Sequence, residues 1–429
     1  MRDFDVIIVG ARLAGATLAG FLSRAGKEVL LVDRVKFPRD TVSCAVAYAK
    51  AVALWDAIGA GEKIDAIGAP PIRRVRKVAP HTTIAGYLLP YGGRDYGYGL
   101  RRITLDDVLL RHVATMPGIT VRERFSVTDL LEENGRVIGV AGKDLGSGAV
   151  EQFRTPLVAG ADGIHSFVAR RVRADIYYSH PPEQCHYYAF YHNFEPVAEP
   201  ELFIHQDSPD QSVLVFEVNG DDEGDLMAVS WMPAARRFET VREDIETAYV
   251  NAWHSIPELA ERGRNATRAT PILGRAPTDT YYRKPYGPGW ALVGDAAYYT
   301  DPNGGRGFYD ALRGAELLAH AIEQIARGRP WAEAMRVYHY ARDYEFEPSY
   351  RFVRSMSTRA PERPPMEVKL FALAAEDPAF ADCLLSVNHG VGVERFAGAP
   401  SLPFTGPGDT AVFDRHATER RLNDEVTAL

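Results

Sequence analysis

Residues 5–33 constrain the fold more than any other stretch of this chain. Asp5-Val-Ile-Ile-Val9 is an unbroken apolar run of strand length, the pattern of a strand covered on both faces in a parallel sheet. Gly10 ends it, Leu13 to Arg24 reads as a helix, and Gly26 is the helix stop. Glu28-Val-Leu-Leu-Val32 is a second apolar strand, and it ends on Asp33. Strand, helix and strand with such short connections predict a βαβ unit.

The turn inside that unit is Gly10-Ala-Arg-Leu-Ala-Gly15. Its outer glycines match G-x-G-x-x-G, while the middle glycine is replaced by Arg12. The loop follows a strand and opens a helix, and Asp33 lies 18 positions after Gly15. A spacing near ~20 residues is expected for an acid that binds a ribose hydroxyl. Gly10, Arg12, Leu13, Ala14, Gly15, Asp33 and the adjoining Arg34 are therefore candidates for binding a dinucleotide, with its pyrophosphate at the helix N-terminus. Arg12 widens the loop and offers a guanidinium to a phosphate.

A second signal lies far along the chain, at Gly294-Asp295-Ala-Ala-Tyr-Tyr-Thr-Asp-Pro302-Asn-Gly-Gly305-Arg306-Gly307. The strand-like Trp290-Ala-Leu-Val293 precedes it, and an amphipathic helix from Phe308 to about Ala326 follows. An acid at a strand end suits the hydroxyls of a ribityl chain. Free amides of a glycine loop at a helix N-terminus suit the pyrimidine edge of a flavin. With the first unit, this predicts FAD, held by Gly294, Asp295, Pro302, Gly305 and Gly307. Arg306 either adds a positive charge at that edge or pairs with an acid. Three weaker candidates join the set: Arg39 in Lys36-Phe-Pro-Arg-Asp40, Arg102 at the start of a helix, and Asp162 at the junction Gly160-Ala-Asp-Gly163.

At 429 residues the chain is long enough for two or three folding units. The pattern divides it into a discontinuous FAD-binding domain (1–75, 98–175 and 285–345), a substrate-binding domain (76–97 and 176–284), and a C-terminal helical region and tail (346–429). The middle region carries alternating strands such as Ser212-Val-Leu-Val-Phe-Glu-Val218 and a helical stretch near 240–262. The expected fold class is α/β: a Rossmann-like FAD-binding domain, a mostly antiparallel substrate-domain sheet and C-terminal helices. A net charge of −8 opposes a nucleic-acid partner. No apolar run reaches the ~18 residues of a membrane span. The acidic N-terminal start makes a poor signal peptide, so a cytoplasmic location is expected. Cys44, Cys185 and Cys383 form neither a metal-binding spacing nor a disulfide framework.

Gly10/Gly15/Asp33, Arg102-x-x-Leu105, Gly160-Ala-Asp-Gly163 and Gly294-Asp295…Pro302-x-x-Gly305-x-Gly307 together resemble the single-component flavoprotein monooxygenases. These have the para-hydroxybenzoate hydroxylase fold, shared with geranylgeranyl reductases and flavin-dependent halogenases. The resemblance covers roughly residues 1–345. It implies that Asp33 binds the adenosine ribose, Arg102 approaches the pyrophosphate or ribityl chain, Val127 lies beside the adenine, and Asp295 binds the ribityl chain or pyrophosphate. It further implies reduction of FAD by NAD(P)H and oxygenation by dioxygen, through a C4a-hydroperoxyflavin, of a small aromatic or polyketide-like substrate, as in secondary metabolism. A reductase or dehydrogenase of the geranylgeranyl reductase type is the alternative, and flavin binding without turnover another. The halogenase Trp-x-Trp-x-Ile-Pro signature is missing, and Arg306 and Tyr309 stand where hydroxylases often carry Gln and Asn. Tyr188, Tyr191, His192, His205 and Trp231 are candidates to face the substrate, with His192, Tyr191 and Arg306 as the catalytic candidates. Cys44 is expected near the flavin face as an apolar filler.

Overall fold

The computed structural model describes residues 4–357, apart from 45, 81 and 209, and residues 365–387. The fold is mixed α/β. The expected βαβ unit is present as β1 (Val6–Val9), α1 (Leu13–Arg24) and β2 (Val29–Val32). Every residue of both strands is buried, as their unbroken apolar sequence requires. They form the middle of a six-stranded sheet. From one edge it runs Tyr286–Gly287, Trp290–Leu292, Val158–Gly160, β1, β2 and Ile119–Arg122, and all pairings are parallel except the first. Helix Gly307–Ala326 packs on α1; Leu18, Leu22, Leu312, Leu318 and Ile322 are all buried in the shared core.

The second large sheet has eight strands among the described residues. His186–His192, Glu201–Ser208, Gln211–Asp221 and Gly224–Pro233 supply its centre. Arg74–Ala79 and Thr82–Tyr87 join at one edge. All pairs are antiparallel except Glu201–Ser208 with Arg74–Ala79, which run parallel. Alternation gives this sheet two different faces. The outer face, with Tyr187, Tyr191, Val213, Val229 and Trp231, packs against Tyr249, Trp253 and Leu259. The inner face, with Tyr188, Phe190, Phe216, Leu226 and Ala228, packs against Val46, Tyr48 and Ile72, and against Phe371, Ala374, Ala381 and Leu385 of the C-terminal helices Pro365–Glu376 and Pro378–Val387.

Several local expectations change. The helix read at 240–262 is three short ones, Phe238–Glu243, Ile245–His254 and Pro257–Arg262. Asp244 ends the first in a non-helical conformation and caps the second by accepting the Thr247 N–H, and Pro257 starts the third. Strands Ile176–His180 and Thr280–Arg283 lie outside the large sheet; they pair with each other, and Thr280–Arg283 also pairs with Tyr298–Tyr299. The C-terminal helical region holds Trp331–Ser357 and the two helices just named. The expected tail beyond 387 lies outside the described residues. No helix among the described residues is long and apolar enough to cross a membrane.

Candidate functional site

Three glycine turns meet at one edge of the parallel sheet. Val9, Gly160 and Leu292 are in register on neighbouring parallel strands, and each strand leads directly into a motif found in the sequence: Gly10–Gly15, Asp162-Gly163 and Gly294-Asp295. Val32, in register with Val9, leads into Asp33. Parallel sheets bind ligands beyond the carboxyl ends of their strands, and all four motifs lie there. The turn at Gly10 has φ +103, and a Cβ there would sit 2.4 Å from the Ala161 carbonyl. A Cβ at Gly15 would sit 1.8 Å from the Gly10 carbonyl, so α1 and its turn approach each other through glycine alone. The Asp33 carboxylate accepts the Ala11 N–H at 2.8 Å and the Val35 N–H at 3.0 Å, which ties the end of β2 to the glycine turn.

Arg12, a candidate phosphate ligand, is committed elsewhere. Its guanidinium donates to the Arg39 and Asp40 carbonyls at 3.1 and 3.0 Å and meets Asp106 at 2.5 Å. Asp106 is fully buried and is also held by Arg102, at 2.9 and 3.0 Å. One buried carboxylate between two guanidiniums explains why both arginines turn to protein rather than standing free. The carboxylate of Asp162 is likewise occupied: it accepts from Ser166 Oγ and from the Phe167 and Val168 N–H groups at the start of helix Phe167–Arg171. Arg34 and Arg39 are exposed, and Val127 is half-buried on strand Phe125–Glu133.

The second motif forms the other wall. Gly294–Ala296 and Pro302–Gly304 are single 3-10 turns, and Gly307 opens the long helix. Space around Gly163 and Gly307 is open: a Cβ at either would meet nothing within 4 Å. The Asp295 carboxylate has no hydrogen-bond partner among the described residues. Burial raises its pKa, while Arg275 and Arg102 oppose that rise. A desolvated carboxylate with unused acceptor capacity fits the hydroxyls of a ribityl chain. Open glycine backbone nearby fits the approach of a planar ring, so the residues present suit FAD. Arg306 is buried and pairs with Asp310 at 3.1 Å, the acid-paired arrangement of the two expected for it. Tyr309 donates to Glu345.

The inner sheet face meets this wall. The Tyr188 hydroxyl accepts the Ser43 N–H at 3.0 Å and donates to the Thr41 carbonyl at 3.3 Å. Tyr48 lies where a Cβ at Gly305 would be 3.5 Å from its hydroxyl. Beyond Tyr188 the inner face turns polar, with Ser230, Ser212 and His186. His186 Nε2 is 2.7 Å from Ser230 Oγ. Burial, then the charge of Arg275, pushes the His186 pKa down to about 4, so the ring is neutral. The Cys44 thiol, which packs on the apolar inner face, is raised by burial and then by Asp40.

Of the candidates to face the substrate, only Tyr188 lies on the inner face beside the flavin wall. Tyr191, Trp231 and His205 have the opposite parity: Tyr191 packs on Trp253 and Phe194, Trp231 on Tyr187 and Tyr249, and His205 is paired opposite Val213 of the outer face. His192 sits at a strand end, 3.0 Å from the Asp225 carbonyl and 3.4 Å from Asp221. Asp106, Asp310 and His186 were missed. The i,i+4 spacings Arg102/Asp106 and Arg306/Asp310 signalled the first two, and His186 shares the parity of Tyr188. Among the described residues no group of His, Cys, Asp or Glu is placed to hold a metal ion.

Comparison with known proteins agrees with this geometry. The family model described as "FAD binding domain" matches residues 3–345, and the chain belongs to that family of FAD-binding proteins within the para-hydroxybenzoate hydroxylase-like superfamily. Among curated proteins it is 26% identical to digeranylgeranylglycerophospholipid reductase of Methanocella arvoryzae, over 76% of this chain and 79% of the relative. Among solved structures, the flavin-dependent brominase Bmp2 superposes with a TM-score of 0.74 at 19% identity, over 92% of this chain and 99% of the other. PqsL of Pseudomonas aeruginosa, in complex with 2-aminobenzoylacetate, superposes with a TM-score of 0.69 at 17% identity, over 88% of this chain and all of the other. At these identities the two structures speak for the fold alone.

Proposed function

We propose that this FAD-dependent oxidoreductase is a monooxygenase of a small aromatic or polyketide-like molecule, with NAD(P)H as reductant. The observation that carries the reading is the sheet face opposite the flavin wall: apolar, roofed by helices Pro365–Glu376 and Pro378–Val387, and holding one neutral imidazole, His186. When bound, FAD supplies hydride acceptance and activation of dioxygen. The chain's own task is to exclude water and orient the substrate. Phe190, Phe216, Leu226 and Ala228 supply the apolar surface that keeps water out. Val46 and Tyr48 join that surface to the flavin wall, so a substrate on that surface would lie beside the bound cofactor. His186, neutral and hydrogen-bonded to Ser230, is suited to orient a substrate hydroxyl or carbonyl by hydrogen bonding. PqsL, a fold neighbour described as a probable FAD-dependent monooxygenase, is seen with 2-aminobenzoylacetate, which puts aromatic keto acids among the compounds to test.

The sequence relative favours a second reading, reduction of a polyprenyl double bond. Reductant and oxygen consumption separate the two. A panel of phenols, aromatic keto acids and polyprenyl lipids is offered to the yellow protein with NADPH or NADH. Oxygen uptake triggered by an aromatic compound is expected. Anaerobic NAD(P)H oxidation triggered by a polyprenyl lipid would replace the first reading with the second.

A further inference from the structure

Asp310 is a buried acid that the chemistry above does not use. It lies in the first turn of helix Gly307–Ala326, directly beyond the flavin loop. Its side chain and that of Arg306 are each 4% exposed, and Arg306 Nη2 stands 3.1 Å from Asp310 Oδ1. The other oxygen, Oδ2, is buried and has no hydrogen-bond partner among the described residues. A buried carboxylate that leaves one oxygen unpaired carries a desolvation cost, which a proton on that oxygen lowers. The charged and titratable groups around it are Arg306 on the preceding loop, Asp295 and Tyr298 on the neighbouring turn and strand, and Glu345 on helix Trp331–Ser357.

We propose that Asp310 takes up a proton when the flavin is reduced, so that the buried Arg306–Asp310 pair goes from neutral to singly positive just beyond the flavin loop. This rests on FAD binding at the Gly294–Gly307 wall. A nicotinamide hydride brings two electrons and one proton to the ring. The second proton comes from water and ends on Asp310 Oδ2, converting the carboxylate to a carboxylic acid, and Arg306 keeps its own proton. Burial already pushes Asp310 up to about 6 against the opposing effect of Arg306. Negative charge from Glu345 and Asp295 acts in the same direction, and so does an anionic ring. For Arg306, burial lowers the pKa but Asp310 and Tyr298 outweigh it, so the proton stays on the guanidinium. Asp310 is thus a positioning residue for charge, not one that touches the reacting atoms.

The midpoint potential of the FAD-loaded protein from pH 5 to 9 tests this. Each proton coupled to a two-electron reduction contributes about 30 mV per pH unit. Below about pH 6, Asp310 is protonated in both redox states and the shallow, one-proton slope is expected. Above it the slope should double, until the pKa of the reduced state is passed. Asp310→Asn should keep the shallow slope throughout, and Asp310→Glu should restore the steep limb. A steep limb that survives in Asp310→Asn overturns the proposal. Should the variant not hold FAD, indicator-dye counting of protons during electrochemical reduction of the wild type at pH 7.5 decides: two per two electrons supports it and one overturns it. Protein that binds no FAD at all sinks the flavin reading itself, a result distinct from a single slope in yellow protein.

Discussion

At the scale of single residues, the site is governed by a few buried charges and by which groups neutralise them. Arg12 occupies the middle-glycine place of the nucleotide loop, so restoring the ordinary pattern looks harmless. The structure predicts the reverse. Arg12→Gly removes one of two guanidiniums from the fully buried Asp106 and releases the Arg39 and Asp40 carbonyls. A loss of about 3 kcal/mol is expected, read as a lower midpoint in urea unfolding. Asp106→Asn in the same background should recover part of it, because no buried charge is then left short of a partner. His186 makes a pH prediction. An unfolded histidine takes its proton near 6.5, whereas the folded ring resists protonation to about 4. Below 6.5 the unfolded chain therefore binds more protons, and stability falls with falling pH until about 4, by up to roughly 3 kcal/mol. His186→Gln should flatten that limb in unfolding measured between pH 7 and 4; an unchanged limb would place the titration elsewhere.

At the scale of elements, close approach of α1 to its turn is what shapes the nucleotide end of the sheet. Gly15→Ala places a methyl where the Gly10 carbonyl stands, so α1 must shift away from β1. About 3 kcal/mol of destabilisation is expected, with FAD retention falling alongside the melting temperature. A variant that melts as the wild type does and keeps its FAD would contradict the packing described. This unit was legible in the sequence because its signals are local: two unbroken apolar strands, a helix of the right length and glycines at both ends. The same holds for helix Gly307–Ala326. The three short helices between Phe238 and Arg262 were not legible as three, since the breaks at Asp244 and Ile256 lie inside one stretch of helical composition. Tyr188 and His186 share a face, Tyr191 does not, and which face meets the flavin wall depends on long-range packing that spacing alone does not report.

At the scale of the whole molecule, two sheets divide the work. The parallel sheet gathers four motifs from residues 10 to 307 at its strand ends, and the large mixed sheet presents an apolar face across from them. Sequence order and motif spacing were enough for the family and the cofactor, because each motif lies within one loop. Arg12 and Asp106, 94 positions apart, meet only in the folded chain, so the fate of that arginine could not be read in advance. The reaction is least legible for the same reason: it depends on how the roofed sheet face holds a substrate against the ring. Oxygen labelling addresses that claim most directly. The compound that triggers NAD(P)H oxidation is turned over under heavy-isotope dioxygen, and the product is weighed by mass spectrometry. One heavy oxygen atom per product molecule, with none from heavy water, is the result this account predicts. A product without label that has lost a double bond, formed equally well without oxygen, would contradict it.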